Sequence, residues 1–376
     1  MKITRLTAES FRRFESAAFE PHPHLTVLHG ANASGKTSLL EAAYFGARAT
    51  SFRARRLDEV VLEKQQAASV SLWIEHDLQS PATQWKTAIQ SGEVSIRRLT
   101  EASNRRELAQ AVPVVLVDRQ LHRVFEEGPV YRRRYLDWGL FYVEPSFFTL
   151  WRRHERALRQ RNQALRQRAP KSEIEVWNPE FIATANALHK LRKAHVKVLE
   201  QSARRWVAEL LENEDFNFAL SSGWNEQLGL EGALAEGYEG DRKMGFTHAG
   251  PHRAELRVRF EQREARAFVS RGQQKLLAVA MALAQAQLVH EITGQAPIIL
   301  LDDLEAELAT EWQQRLIKAL LQYPGQSLVT SLEWRDSLLP SGTSSSEYAV
   351  FHVEHGHVIP DVKHHGVPAQ APSRNP

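Results

Sequence analysis

The chain of 376 residues has no cysteine and only 3 methionines. Without a thiol there is no disulfide framework, no thiolate nucleophile and no thiolate metal site, and a reducing compartment such as the cytoplasm is the expected location. Long apolar runs are lacking too. The longest, Leu276 to Val289, contains Gln285 and Gln287 and falls short of the roughly 20 apolar residues that span a bilayer, so it reads as a buried core helix. The opening MKITRLTAESFRRF has no continuous apolar stretch ahead of its charges, which argues against a secretory leader. No repeat of solenoid period is present. Neither charge sign dominates: 48 Lys and Arg against 45 Asp and Glu leave a net +3, weak support for a polyanionic partner, so the distribution of charge has to carry that argument.

What is present is ordinary globular usage, 43% hydrophobic and 25% charged, which excludes collagen-like and disordered classes. The length suits two domains or one enlarged one. Lys2 to Leu6 and Leu25 to Leu28 read as strands, and SLLEAAYFGARA as a helix. SVSLWIEHDL, TQWKTAIQ and VPVVLVD read as further strands. From about residue 121 the pattern turns helical: Phe147, Trp151, His154, Leu158, Arg161 and Leu165 form one stripe, and Phe181, Ala185, Leu188, Leu191, His195, Val198, Ser202 and Trp206 another. These predict two long antiparallel helices joined across Ala169 to Pro179. After Gly245, RAELRVRF, APIILLDD and QSLVTSL read as strands, and Glu311 to Gln322 as a helix. The tail GVPAQAPSRNP is expected to be disordered.

Gly30, Gly35, Lys36 and Thr37 satisfy G-x-x-x-x-G-K-[ST], and they do so between a predicted strand and helix. Backbone N–H groups from Gly30 through Ala31, Asn32, Ala33, Ser34 and Gly35 to Ser38 can surround phosphate oxygens. Lys36 can reach the β- and γ-phosphates, and the Thr37 hydroxyl can ligate Mg2+. A nucleotide site of this kind needs an acid at the end of a neighbouring buried strand. Ile298 to Asp303 supplies it, with Asp302 for Mg2+ and Asp303 placed to deprotonate an attacking water. Lys36 and Asp302 are 266 positions apart, more than a compact nucleotide core requires, so the helical stretch is inserted into the head. The expected division is residues 1–120 and 245–366 for the two halves of the head, 121–244 for a helical arm, and 367–376 for the tail. Ser270, Gly272 and Gln273 open the apolar helix and offer a second anion-binding helix N-terminus or an ordinary cap. As an anion site the turn would meet the γ-phosphate held by a second copy, so that ATP joins two heads.

Arg152, Arg153, Arg156, Arg159, Arg161, Arg166 and Arg168 make the first arm helix basic, and Arg53, Arg55 and Arg56 form a second cluster. Each could track DNA phosphates or be a solvated face. No aromatics interleave with them, so duplex or junction contact is expected rather than single-strand stacking. His352, His355, His357, His364 and His365 read as a terminal hairpin turning at Gly356 and a polar tail rather than a metal site. His248 and His252 flank a Gly-Pro pair and read as structural or DNA-facing.

The three motifs in this order, with a helical insert, resemble the ABC-type heads of the structural-maintenance-of-chromosomes class, and more closely the RecF family. FRRF at Phe11 to Phe14, GANASGKTSLLEA, SFR at Ser51 to Arg53, GPVYRRRYLD, GPHRAEL, SRGQQKLL and LLDD carry the resemblance over most of the chain. It implies an α/β ABC-type P-loop ATPase head with an inserted helical arm, a weak DNA-stimulated ATPase that dimerises on ATP and Mg2+ and acts at gaps or single-strand/double-strand junctions in repair and replication. The partners it implies are DNA, a second copy, RecO and RecR, acting to load RecA. An SMC-like head for another DNA transaction, or an ATP-binding scaffold with little hydrolysis, are the alternatives. Three positions depart from the family pattern. Ala309 follows Glu307-Leu308 where the family has the aspartate that helps cross-talk between two ATP sites. Val117-Asp118-Arg119-Gln120 stands where the family commonly has an acidic Pro-Glu-Asp segment, with Gln120 a candidate metal-sensing glutamine. Thr330-Ser331-Leu332-Glu333 lacks the switch histidine of many ABC enzymes.

Overall fold

The structure, a computed structural model, describes residues 1–76, 81–118, 121, 123–213, 215–265, 269–306, 308–354 and 356–361. Gln120, Glu307, His355, His364, His365 and the tail 367–376 lie outside the described residues. The chain forms two units. The first holds Met1–Leu121, Glu209–Leu211 and Lys275–Pro376, and the second His122–Ala208 and Glu212–Gln274. In chain order the strands are β1 (Lys2–Phe11), β2 (Phe14–Phe19), β3 (Leu25–His29), β4 (Ala67–Glu75), β5 (Thr83–Gln90), β6 (Glu93–Arg98), β7 (Glu101–Ser103) and β8 (Val114–Val117) in the first unit. Then come β9 (Phe216–Ser221), β10 (Glu255–Phe260) and β11 (Arg263–Glu264) in the second, and β12 (Ile298–Leu301), β13 (Ser327–Ser331), β14 (Tyr348–Glu354) and β15 (His357–Pro360) back in the first.

Two six-stranded sheets build the first unit. One is antiparallel in the order β2-β1-β4-β5-β6-β7. The other runs β15-β14-β3-β13-β12-β8, parallel apart from the terminal hairpin of β14 and β15. The unbroken burial of Ile298 to Leu301 and of Ser327 to Ser331 is what a parallel strand covered on both faces requires. Helix Lys36–Arg48 follows β3 and contacts both sheets, against β4 and β5 on one side and β13 and β8 on the other. Its residues from Leu39 to Ala47 are therefore buried nearly all round, Glu41 included. Gly46 permits the approach to β4, since a side chain there would stand 2.8 Å from Leu72. Helix Arg271–Thr293 is long and apolar enough to cross a membrane by length and composition, but most of it is buried inside the protein. It is the core helix expected from Leu276 to Val289.

In the second unit helices Phe147–Arg166 and Asn178–Leu211 pair antiparallel. Phe147 packs with Leu188, Leu158 lies with Phe181 and Ala185, and Arg161 reaches Asn178 at 3.0 Å. The first stripe is inward as predicted. The second is inward at Phe181, Ala185, Leu188, His195 and Trp206 but not at Val198, which is 47% exposed, and the buried face is wider than the stripe, taking in Val196, Leu199, Ala203 and Val207. Arg161 is not a phosphate-tracking arginine. It is buried and bonded to Asp241 and Thr247 at 2.8 and 2.6 Å.

The expected return to the head at residue 245 is corrected to residue 275. The strand signal in RAELRVRF is real, but β10 pairs antiparallel with β9 and with β11 to make a small sheet inside the second unit. Glu255 on β10 takes a two-pronged bond from Arg132 at 2.6 and 2.9 Å. The insert is thus a helical pair with its own sheet.

Burial holds His154 neutral down to about pH 3 and His252 to about pH 4. An unfolded histidine takes its proton near 6.5, so the stability these rings give is complete above that pH and is lost as pH falls toward 4 and 3. Urea unfolding at pH 7 and pH 5 should lose about 1–2 kcal/mol per buried histidine, and His154→Gln should lose correspondingly less. An unchanged pH dependence in the variant would show that His154 is charged in the fold.

Candidate functional site

The end of β3 leads into the loop from Gly30 to Gly35 and then into helix Lys36–Arg48. Gly30 has φ 147°, and a side chain there would meet the Val353 carbonyl at 2.4 Å. Gly35 caps the helix at φ 121°. The loop can therefore close over small groups with its N–H donors. Lys36 Nζ donates to the carbonyls of Gly30 at 2.6 Å and Ala31 at 2.9 Å. Burial lowers its pKa from the ordinary lysine value, opposed by the charges of Glu305, Asp303 and Asp302.

Two parallel strands away, β12 ends at Asp302 and Asp303. The buried Asp302 carboxylate accepts the Thr37 hydroxyl at 2.9 Å and the Thr330 hydroxyl at 2.7 Å. Its Oδ1 is thus the junction of the phosphate loop, β12 and β13. Asp303 turns the chain with φ 64°, its N–H donating to Thr330 at 2.8 Å. Both acids line a cavity of about 620 Å³ together with the loop from Asn32 to Ser38, and Arg13, Phe52 and Arg53 also border it. Thr37 and Asp302 offer hard oxygen donors side by side, which suits a Mg2+ ion whose remaining ligands are waters and phosphate oxygens.

Residues beyond the motifs hold this arrangement. Glu41, fully buried on the helix, is gripped by Arg12 at 2.7 and 2.9 Å and receives the Ser51 hydroxyl. That explains FRRF and SFR physically: both reach one carboxylate whose burial is tolerable only when it is paired. A glutamate inside the otherwise apolar SLLEAAYFGA is the signal that could have found it. Glu305 was missed as well. Its Oε1 accepts the N–H groups of Leu332 at 2.9 Å and Glu333 at 3.2 Å and the Ser331 hydroxyl, while the Leu332 carbonyl takes the Gly30 N–H at 3.3 Å. The segment that lacks a switch histidine is fixed this way. Lys275 Nζ meets the carbonyls of Ala306 and Asp303 at 2.5 and 3.2 Å.

Of the other predicted residues, Ser270 and Gln273 bond reciprocally, Ser270 N–H to Gln273 Oε1 at 3.1 Å and Gln273 N–H to Ser270 Oγ at 3.3 Å. This is a capping box; these residues and Gly272 precede Lys275 and belong to the second unit. Arg53 sits at the nucleotide cavity, 3.4 Å from Glu41 and 3.5 Å from Ser38. Arg55 is exposed, and Arg56 pairs with Asp58 at 3.1 Å. Arg152 and Arg156 are exposed on the second unit, and Arg153 is engaged by Glu180 at 2.8 and 3.0 Å. The terminal histidines described belong to the predicted hairpin, with Gly356 at φ 84° in its turn.

The family described as the RecF/RecN/SMC N-terminal domain matches residues 2–357. The DNA replication and repair protein RecF of Stenotrophomonas maltophilia (strain R551-3) is 38% identical over 365 residues, covering 96% of this chain and 99% of that protein. A solved structure of the recombination mediator protein RecF with ATP, in the RecFOR pathway, superposes with TM-score 0.79 at 20% identity, covering 96% and 97% of the two chains. An Smc head bound to the C-terminal winged-helix domain of ScpA gives 0.59 at 14% identity, covering 96% and 97%. The likeness to the solved structures is one of fold. The chain belongs to the RecF/RecN/SMC family and, within it, to the RecF proteins.

Proposed function

We propose that the protein is an ATP-dependent DNA-binding ATPase of recombinational repair and replication, in which ATP and Mg2+ join two copies into a clamp on DNA. The observation that carries this reading is the junction at Asp302, where Thr37 and Thr330 converge beside Lys36 in a cavity sized for a nucleotide. The names of the relatives support DNA repair, and the RecFOR pathway named for the solved RecF supports RecO and RecR as partners in loading RecA.

In this mechanism the loop N–H groups and the helix N-terminus bind the phosphates, and Lys36 leaves its carbonyl partners for the β- and γ-oxygens. Thr37 and Asp302 would hold Mg2+, which would supply charge neutralisation at the transferred phosphoryl group. Asp303 orients a water and takes its proton as the water oxygen bonds to the γ-phosphorus and the bond to ADP breaks. Ser270, Gly272 and Gln273 serve as the signature turn toward the nucleotide of the other copy. Arg55, Arg152 and Arg156 offer phosphate contacts to DNA, whose binding stimulates slow turnover.

Lys36→Met should abolish ATP-dependent dimerisation in sedimentation velocity, whereas Asp303→Asn should keep ATP binding and lose about 100-fold or more in turnover. A protein that stays monomeric with ATP and Mg2+ contradicts the clamp. Ala309 favours a second reading, a scaffold with little hydrolysis. It is the N-cap of helix Thr310–Gln322 and makes no side-chain cap. Ala309→Asp should add about 1 kcal/mol of stability through capping and, if two sites communicate there, raise turnover several-fold. Added stability without faster turnover would favour the scaffold.

A further inference from the structure

The segment from Arg242 to Arg253 belongs to the second unit, and the nucleotide chemistry leaves it without a role. It contains no acid and carries Arg242, Lys243, His248, His252 and Arg253. Its backbone is held from many directions. Thr247 gives its N–H and hydroxyl to Asn162 at 2.8 and 2.7 Å and receives Arg161. Gly250 N–H donates to the Gly223 carbonyl at 3.1 Å, and the two strands of chain approach so closely that a side chain on Gly223 would lie 2.3 Å from the Gly250 oxygen. Arg192 donates to the Pro251 carbonyl and Arg133 to the Ala254 carbonyl, each at 2.8 Å. His252 donates to the Thr247 carbonyl at 2.9 Å. Such over-determination of a turn exceeds what connecting a helix to a strand demands.

What the turn presents is cationic and ordered. The buried Asp241 carboxylate, already paired with Arg161, accepts both the backbone N–H and the ring Nδ1–H of His248, at 3.0 and 2.8 Å. The His248 side chain is nevertheless 43% exposed. Its ring lies 4.2 Å from that of Phe246, and the Arg253 guanidinium sits 5.2 Å from the same phenyl ring. Phe246 therefore stands between the His248 ring, anchored on Asp241, and the Arg253 guanidinium, the group's outward donor. Arg242 and Lys243 are exposed in the preceding helical turn, and the Arg166 stem passes 3.2 Å from the Cβ position of Gly245.

We infer that this turn is a binding site for the phosphate backbone of duplex DNA, with Arg253 as its fixed donor and Arg242, Lys243 and Arg166 adding charge. The inference rests on the DNA-binding reading above and adds a rigid turn to the contacts offered by Arg152 and Arg156, of whose neighbours Arg153 is engaged by Glu180 and Arg161 is buried. Acid-free, cation-rich and rigid, the turn meets a polyanion with little ordering cost, and its contacts are indifferent to base sequence.

The test is duplex binding by fluorescence anisotropy across a salt series, with ATP and Mg2+, for the full-length wild type, His248→Ala/Arg253→Ala and Arg242→Ala/Lys243→Ala. The expected result is about tenfold weaker binding for each pair at 0.1 M salt and a log–log salt slope shallower by about 1–2, with DNA-free ATP turnover and melting temperature unchanged. Wild-type affinity and slope in both variants would overturn the inference and leave the DNA reading standing. A wild type that binds no duplex with or without ATP would overturn both. Should the first pair melt early, the second, on exposed side chains, decides alone.

Discussion

The Asp302 carboxylate is the constraint on which the head depends. A buried acid needs partners, and this one takes hydroxyl hydrogens from Thr37 and Thr330. Those two residues begin the helix after β3 and lie on β13, so a single oxygen ties the phosphate loop to the two strands beside it. The order β3-β13-β12 is what makes that possible: with one strand inserted between the loop and the acids, a side chain from each reaches the same point. Asp303, turned by its left-handed backbone, then borders the same cavity. The chemistry of phosphates, metal and water converges where the topology leaves three strand ends together.

A second carboxylate sets the helix. Glu41 lies in the layer between two sheets, where an unpaired charge would be costly, and Arg12 and Ser51 satisfy it from the edges. The phosphate loop is thus supported from behind by β1 and from the side by the segment after the helix. Glu305 completes the frame by holding residues 331–333, whose Leu332 carbonyl bonds Gly30. In a chain without the switch histidine, this carboxylate gives the loop after β13 a defined position.

Much of the site was legible because its parts are local. A glycine loop between strand and helix, or two aspartates after four buried apolar residues, can be read from a dozen positions, and the strands β4, β5, β12 and β13 follow from alternation or unbroken apolarity. What depended on distant pairing was not legible. RAELRVRF reads as a strand, but nothing local says that it pairs with Phe216–Ser221 rather than returning to the head. Arg161 fell both on the inward stripe and among the basic residues, and only Asp241, 80 positions later, decides between the two. Arg12, Glu41 and Ser51 were visible as a resemblance, and only the packing gave them a shared physical purpose. Thr330 and Glu305 act through contacts across strand ends that no periodicity records.

The most direct test of this account is calorimetric ATP binding, with Mg2+ and with the metal chelated, to the wild type and to Asp302→Asn. The account predicts that Mg2+ tightens ATP binding to the wild type, and that the variant retains the metal-free affinity while losing most of the Mg2+-dependent gain. An equal gain in both proteins would contradict it, because the metal would then be held without the carboxylate around which the head is organised.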